Sequence, residues 1–377
     1  MNQLCHSYDV AIIGGGINGA SIAYQLSKLG KKVIILEKER LACQASSAAA
    51  GMLAAQAEIE KEGPLFQLAI KSQSMFPELS NQLFELTGVD IEFVQKGMLK
   101  VAETDEIATE LKKQVIFQQN WDSKIHWLDS LEISEMEPAI SPSVVGGMYL
   151  PNDGHVQPEK LTQGFTKAAI HYGAEIHENT EVLSFLFENG QVKGVKTSNG
   201  LVHSEQVIVA TGAWAGKLMQ VSGLDLPVFP VKGECFSIKT DVPFINRTIF
   251  SDKRCYLVPK RNGEIYIGAT MIEDTFDDKV TPQGIATLIE RATHLVPKIK
   301  DAAWERVWCG IRPQTGDGLP YIGEHPEWKG LFVATGHFRN GILLSPITGK
   351  LVADLLVGKQ DSLLSAFQLE RHTETVI

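Results

Sequence analysis

Residues 8–37 read YDVAIIGGGINGASIAYQLSKLGKKVIILE, and this stretch decides the fold. Val10 to Ile13 is an apolar run of the kind that forms a buried parallel strand. Gly14, Gly16 and Gly19 follow at the G-x-G-x-x-G spacing. A helical stripe of Ile22, Ala23, Leu26 and Leu29 then closes at Gly30, and a second apolar strand ends on Glu37. Gly14 permits the tight turn out of the strand. Gly16 lets backbone approach a pyrophosphate, and Gly19 lets helix and strand pack without an intervening side chain. The pyrophosphate belongs at the helix N-terminus beside Ile17 and Asn18, where free N–H groups and the positive dipole end favour an anion. Glu37, with Lys38 beside it, is placed to accept hydrogen bonds from ribose hydroxyls. Strand, turn, helix, strand and acid occur in order, so the stretch reads as a dinucleotide site.

The rest of the chain is read outward from this unit. Hydrophobic content of 44% and charged content of 21% are those of an ordinary globular protein. A formal charge of −10 without a basic stripe argues against nucleic acid as a partner. The five cysteines are scattered with no CxxC pair, which fits free thiols in a reducing compartment. The first strand starts within a few residues of Met1, leaving no room for a signal peptide, and no apolar run approaches membrane-spanning length. The expected location is cytoplasmic, away from membranes, and no ligand set for a metal is found.

After Glu37, residues 42–56 are nearly all small. This suits close backbone approach to a ligand, with Ser46 and Ser47 as phosphate donors and Ala50, Gly51 and Met52 beside it. The same composition suits a tightly packed helix start. Helices are expected over 64–87, 105–117 and 158–172, and a strand over 91–101. Turns at Asn189-Gly190 and Asn199-Gly200 mark hairpins. The run 207–210, ending near Gly212, is expected to rejoin the first sheet. From 226 to 308 the pattern becomes strands with polar and aromatic residues, at 233–239, 255–258 and 264–270, interrupted by a helix at 282–296. Parallel-sheet grammar returns with a strand at 331–335, a turn from Gly336 to Gly341 and a helix from Ser345 to Gly358. A second helix N-terminus thereby points into the crevice, where it can stabilise negative charge on a reduced flavin.

The fold expected is α/β with an α+β second domain: a Rossmann-like FAD-binding domain of the glutathione-reductase type carrying an inserted, mainly antiparallel substrate domain. The divisions expected are 1–85, 150–222 and 308–377 for the first, with 86–149 and 223–307 for the second.

Residues 308–323, WCGIRPQTGDGLPYIG, make the comparison with known families specific. Together with the N-terminal fingerprint, SSAAAGML at 46–53, VKGECFSI at 231–238, CYLVP at 255–259, GATM at 268–271 and GHFRNGILLSPITG at 336–349, they resemble the D-amino-acid oxidase superfamily of FAD-dependent amine oxidases. The likeness covers essentially the whole chain and is strongest to the bacterial glycine oxidases of thiamine biosynthesis. It implies that Arg312 binds the substrate carboxylate, for which a guanidinium fork is suited as lysine is not. It implies that Tyr256 bonds the same carboxylate, that Arg339 lies near the substrate, and that Met52 and Met271 wall the pocket. An arginine before proline at a strand end also serves as an interdomain salt bridge, and Met271 also suits core packing. Asp317, between two glycines, reads as a turn residue rather than a base.

Further FAD contacts implied are Val182, Gly212, His337, Phe338, Arg339, Asn340, Gly341, Ile342 and Leu343. The FAD is expected to be non-covalent, because no cysteine stands at the flavin-facing position of the GIRPQTGDG segment. Arg254 replaces a histidine that the better-known members carry two residues before the tyrosine, and it counts among the candidate substrate contacts. The implied reaction is hydride transfer from Cα to flavin N5, giving glyoxylate, ammonia and, with molecular oxygen, hydrogen peroxide. Sarcosine and small D-amino acids are lesser substrates, and a homotetramer is implied. Alternatives are a D-amino-acid dehydrogenase passing electrons to a quinone, a non-catalytic flavin-bearing subunit of an amine-oxidising complex, and, third, an NAD-dependent dehydrogenase.

Overall fold

The structure, a computed structural model, describes residues 7–252 and 255–371. The fingerprint strand Ser7–Ile13 lies at the centre of the first sheet. Gly200–Val209 and Val33–Leu36 flank it in parallel, followed outward by Leu331–Thr335 on one side and Glu175–His177 on the other. Tyr321–Glu324 closes one edge antiparallel. The hairpin strands Val182–Glu188 and Gln191–Thr197 extend from the first half of Gly200–Val209, with the two Asn-Gly turns where expected.

Alternate residues of the central strands face opposite layers. Val10, Ile12, Val33, Ile35 and Ile208 pack under the helices Ile17–Lys28, Pro64–Thr87, Pro158–His171 and Gly341–Leu356. Ala11, Ile13, Ile34, Leu36, Val207 and Val209 face the other layer, under the hairpin strands and the short Ala215–Met219 helix. Both faces are covered, so the strands read as continuous apolar runs. Each fully buried Ile or Leu contributes about 1.5–3 kcal/mol relative to an exposed one.

The second sheet runs Ile272–Glu273, Val228–Lys239, Glu264–Gly268, Cys255–Pro259, Thr248–Ser251, Met98–Ala102, Gly146–Leu150, His126–Asp129, and Ala303–Thr315 also pairs with Val228–Lys239. It is antiparallel apart from Thr248–Ser251 against Met98–Ala102. The long pair formed by Val228–Lys239 and Ala303–Thr315 runs from Val228↔Thr315 to Lys239↔Ala303, with one shift of register between Ser237 and Ile238, and carries the second sheet up to the first.

Several element boundaries differ from the sequence reading. The strand expected at 233–239 starts at Val228, the one at 207–210 starts at Gly200 and the one at 264–270 ends at Gly268. Two further differences bear on the local structure. The strand expected over 91–101 is confined to Met98–Ala102, because residues 91–97 form a loop with a lone bridge from Val94 to His155. The last helix starts at Gly341, four residues before Ser345, with Pro346 inside it. Proline normally marks a first turn because it lacks an N–H. Here the Ser345 hydroxyl donates to the Ile342 carbonyl (2.9 Å) that the ring leaves unpaired. Ser72 and Ser21 donate to the carbonyls of Leu343 (2.6 Å) and Ser345 (2.7 Å). Three hydroxyls thus let the helix begin a turn early.

Candidate active site

At the first turn Gly14 has φ +104°, and a Cβ there would lie 2.6 Å from the Ala210 carbonyl oxygen. A Cβ on Gly19 would fall inside the Gly14 carbonyl oxygen, while one on Gly16 would meet only Ser46 Oγ, at 3.2 Å. The turn therefore needs glycine at 14 and 19 for its own geometry. Gly16 is the N-cap of Ile17–Lys28, with no side-chain cap. Ser46 Oγ accepts from the Ile17 N–H at 2.9 Å, which leaves its own proton for an anion at that helix end. The Glu37 carboxylate accepts from the N–H groups of Gly15 (2.6 Å) and Glu39 (2.9 Å).

From this turn a cavity of about 510 Å³ runs across the end of the first sheet to the second. Of the expected cofactor residues, Gly14, Gly16, Ile17, Asn18, Glu37, Lys38, Ser46, Ala50, Gly51, Met52, Val182, Gly212, His337, Phe338, Arg339, Gly341 and Ile342 line it. Gly19, Ser47, Asn340 and Leu343 do not. Gly19 acts within the turn, the Ser47 hydroxyl is engaged with the Gln44 carbonyl (3.0 Å), and Leu343 is buried in the core under the helices. Lining residues that sequence reasoning missed include Glu58, Thr211, Trp214 and Phe250. Thr211 carried a signal, since it follows the end of the strand Gly200–Val209; the other three carried none.

The residues fit FAD on three counts. The first helix end, N-capped by Gly16 with no side-chain cap, is open beside the Ser46 hydroxyl. Asn18 Oδ1, Thr211 Oγ1 and His337 Nδ1 are buried, line the cavity and lack a hydrogen-bond partner among the described residues. At the far end the helix Gly341–Leu356 presents a first turn with no side-chain cap. Burial pushes His337 down to about 3 and its Nε2 pairs with Thr348 Oγ1 at 3.0 Å, so the imidazole is neutral. No cysteine of the described residues lines the cavity.

The other candidates meet on the second sheet. Arg312 stands opposite Val231, and its guanidinium lies where a Cβ on Gly233 would be, two residues along the partner strand. Cys235, two further on, is level with Gly268, which is level with Tyr256. A Cβ on Gly268 would collide with the Tyr256 hydroxyl and lie 2.7 Å from Cys235 Sγ. Two glycines therefore clear the space in which guanidinium and phenol converge. Among the described residues, Arg312 Nη1 donates only a long 3.4 Å bond to the Thr270 carbonyl, and the Tyr256 hydroxyl has only Cys235 Sγ, at 3.4 Å. The guanidinium therefore retains donors for an anion, and the phenol proton is available to one when the thiol is the donor of that contact. Burial first, then the Cys235 thiol, lifts Tyr256 well above its usual value, and burial raises Cys235 as well. Met52 and Met271 line the same end. Arg339 Nε lies 3.2 Å from Glu58 Oε2, so it already has a partner. Asp317 is a turn residue, accepting from the Leu319 N–H at 3.0 Å and paired with Arg371 at 2.7 Å. Arg254 lies outside the described residues.

The family model described as FAD dependent oxidoreductase matches residues 9–355. The glycine oxidase of Geobacillus kaustophilus is 46% identical over 98% of both chains, and its crystal structure superposes with a TM-score of 0.95 over 97% of this chain and 99% of that one. The glycine oxidase of Bacillus subtilis is 38% identical over 97% of both chains. A bifunctional protein ThiO/ThiG of Trichormus variabilis is 38% identical over 96% of this chain, which spans 55% of that longer protein. The chain belongs to the FAD-dependent oxidoreductase family and is an FAD-dependent amino-acid oxidase.

Proposed function

We propose that the substrate is glycine, with sarcosine and small D-amino acids as lesser substrates, and that oxygen is the electron acceptor. The convergence of Arg312 and Tyr256 at the methionine-walled end of the cavity carries this reading. A planar carboxylate takes two parallel bonds from the guanidinium and a third from the phenol. Tyr256 stays protonated throughout the physiological range, so it donates and never acts as a base. Burial lowers His337 to about 3, too weak a base to hold a proton taken from the substrate, so it is not the base either. Arg312 and Tyr256 thus position the amino acid and exclude water from its Cα, and proximity does the rest. FAD, when bound, supplies the two-electron acceptor for the Cα–H. Glycine, oxygen and water give glyoxylate, ammonia and hydrogen peroxide. The FAD is non-covalent, the enzyme is a cytoplasmic homotetramer, and its role is in forming the thiazole of thiamine.

A peroxide-coupled screen in air over glycine, sarcosine and D-amino acids tests this. Peroxide from glycine is expected. Turnover with a quinone under nitrogen but no peroxide in air would instead identify a dehydrogenase. Acid precipitation should release all the yellow colour.

A further inference from the structure

Among the described residues a second cavity, of about 410 Å³, adjoins the substrate end of the first. Glu58, Phe250 and Arg339 line both, so a single layer of side chains separates the two spaces. None of the three belongs to the glycine turn near the N-terminus.

This partition is unevenly held. Its floor is fixed by Lys100, whose side chain is 5% exposed. Lys100 Nζ donates to the Ala57 carbonyl (2.9 Å), to Glu60 (2.8 Å) and to Gln114 (3.1 Å), tying the segment before Glu58 to the helix Asp105–Gln118. The backbone there is fixed again by Asp153, which accepts from the Ala57 N–H at 3.0 Å. The side chains above that floor are held by much less. Glu58 and Arg339 share one 3.2 Å contact, and Glu58 Oε2 makes no hydrogen bond of good geometry. Neither side chain has another hydrogen bond among the described residues. A rigid frame thus carries a loosely closed pair.

We propose that the second cavity is the vestibule through which the amino acid reaches Arg312 and Tyr256, and that the Glu58–Arg339 pair is its inner door. The proposal rests on the reading of the chain as an amino-acid oxidase. The Glu58 side chain is 4% exposed and that of Arg339 36%, so parting the pair is costly chiefly for the carboxylate, which is left buried and alone. A zwitterionic amino acid removes that cost, because its ammonium can replace Arg339 on Glu58 while its carboxylate replaces Glu58 on Arg339. An amine without a carboxylate can satisfy only one side. The door thereby favours the class of molecule that the Arg312 fork holds beyond it, and the outer wall sets the size admitted. Ile107 and Glu110, on the helix Asp105–Gln118, form part of that wall.

The test narrows the vestibule without touching the reacting end. Ile107→Trp and Glu110→Trp are made in the FAD-loaded enzyme, with Thr109→Trp, exposed on the same helix and outside that wall, as the control. Substrates are glycine and the bulkiest amino acid that the wild type oxidises. In the tryptophan variants kcat/KM should fall by about tenfold for the bulky substrate and by a few-fold for glycine. Flavin reduction at saturating substrate, melting temperature and FAD content should match the wild type, as should Thr109→Trp in every measure. Tryptophan variants with kcat/KM within about twofold of the wild type for both substrates would overturn the vestibule. So would a parallel fall in the saturating reduction rate, which would place the effect on the chemistry. A wild type that oxidises no amino acid would overturn activity and vestibule together, so the two failures are distinguishable.

Discussion

The two ends of the central cavity are built from different materials. At the Gly14 end the backbone does the work: a positive φ, a missing Cβ and an open helix N-terminus, all within residues 14–19. At the Arg312 end side chains do it, and they arrive from separate places. Arg312, Tyr256 and Met52 come from three strands, and Met271 follows another. A backbone site fails when a side chain is added. A side-chain site fails when one is removed. The two should therefore break differently, one losing the cofactor and the other losing the substrate.

The largest effect is expected at the backbone end. Gly14→Val places a branched side chain at φ +104° against the Ala210 carbonyl oxygen, with no flexible neighbour to give way. The purified variant should lack visible flavin absorption. A fully yellow Gly14→Val would show that the turn adapts, and the contrast between the two ends would collapse. Gly16→Ala makes the contrast finer, since its Cβ would meet only Ser46 Oγ at 3.2 Å with φ −75°. It should retain more flavin than Gly14→Val.

At the other end, Arg312→Ala should stay yellow and lose substrate binding. Charge-assisted hydrogen bonds contribute about 1.5–3 kcal/mol, which corresponds to a rise in KM of about 10- to 150-fold. Arg312→Lys should recover little of it, because the ammonium lacks the fork and the space over Gly233 is shaped for a planar group. Unchanged steady-state kinetics in Arg312→Ala would remove the carboxylate clamp. Loss of flavin in that variant would mean that the two ends are not separable.

The same difference explains what could be read from the sequence. The Gly14 end is local, so its spacing, strand and helix were legible in one window; the return of the 207–210 strand to that sheet was legible too, while the order of the strands was not. The last helix was misplaced by four residues because Pro346 looks like a first-turn proline; the compensating hydroxyls of Ser21 and Ser72 come from distant helices. Arg312 and Tyr256 were reached through family resemblance, since nothing in their own windows says that they meet. Glu58 and Phe250 had no signal at all. Their place in the wall depends on how the Ala55–Glu58 turn packs against the second sheet, which no local pattern encodes. The roles of Gly233 and Gly268 are likewise visible only across paired strands.

The smallest effect on ligand binding is expected where the two ends join, and there the readout is stability. Lys260, at the tip of a second-sheet hairpin, is buried and donates to the carbonyls of Ala50 (2.6 Å) and Val156 (2.9 Å), with the Tyr266 ring 4.8 Å away. It thus fastens the second sheet to the segment that lines the cofactor end. Burial pushes its ammonium from 10.5 down to about 7. Between these values the unfolded chain holds a proton that the folded chain does not, so the wild type gains stability as pH rises from 7 towards 10.5. Lys260→Met has no such proton. Its melting temperature minus that of the wild type should therefore be highest at pH 7 and fall steadily towards pH 10.5, whatever its sign at the start. A difference that stays flat over this range would mean that the ammonium is solvated. The fastening between the two ends would then be a surface contact rather than a buried one.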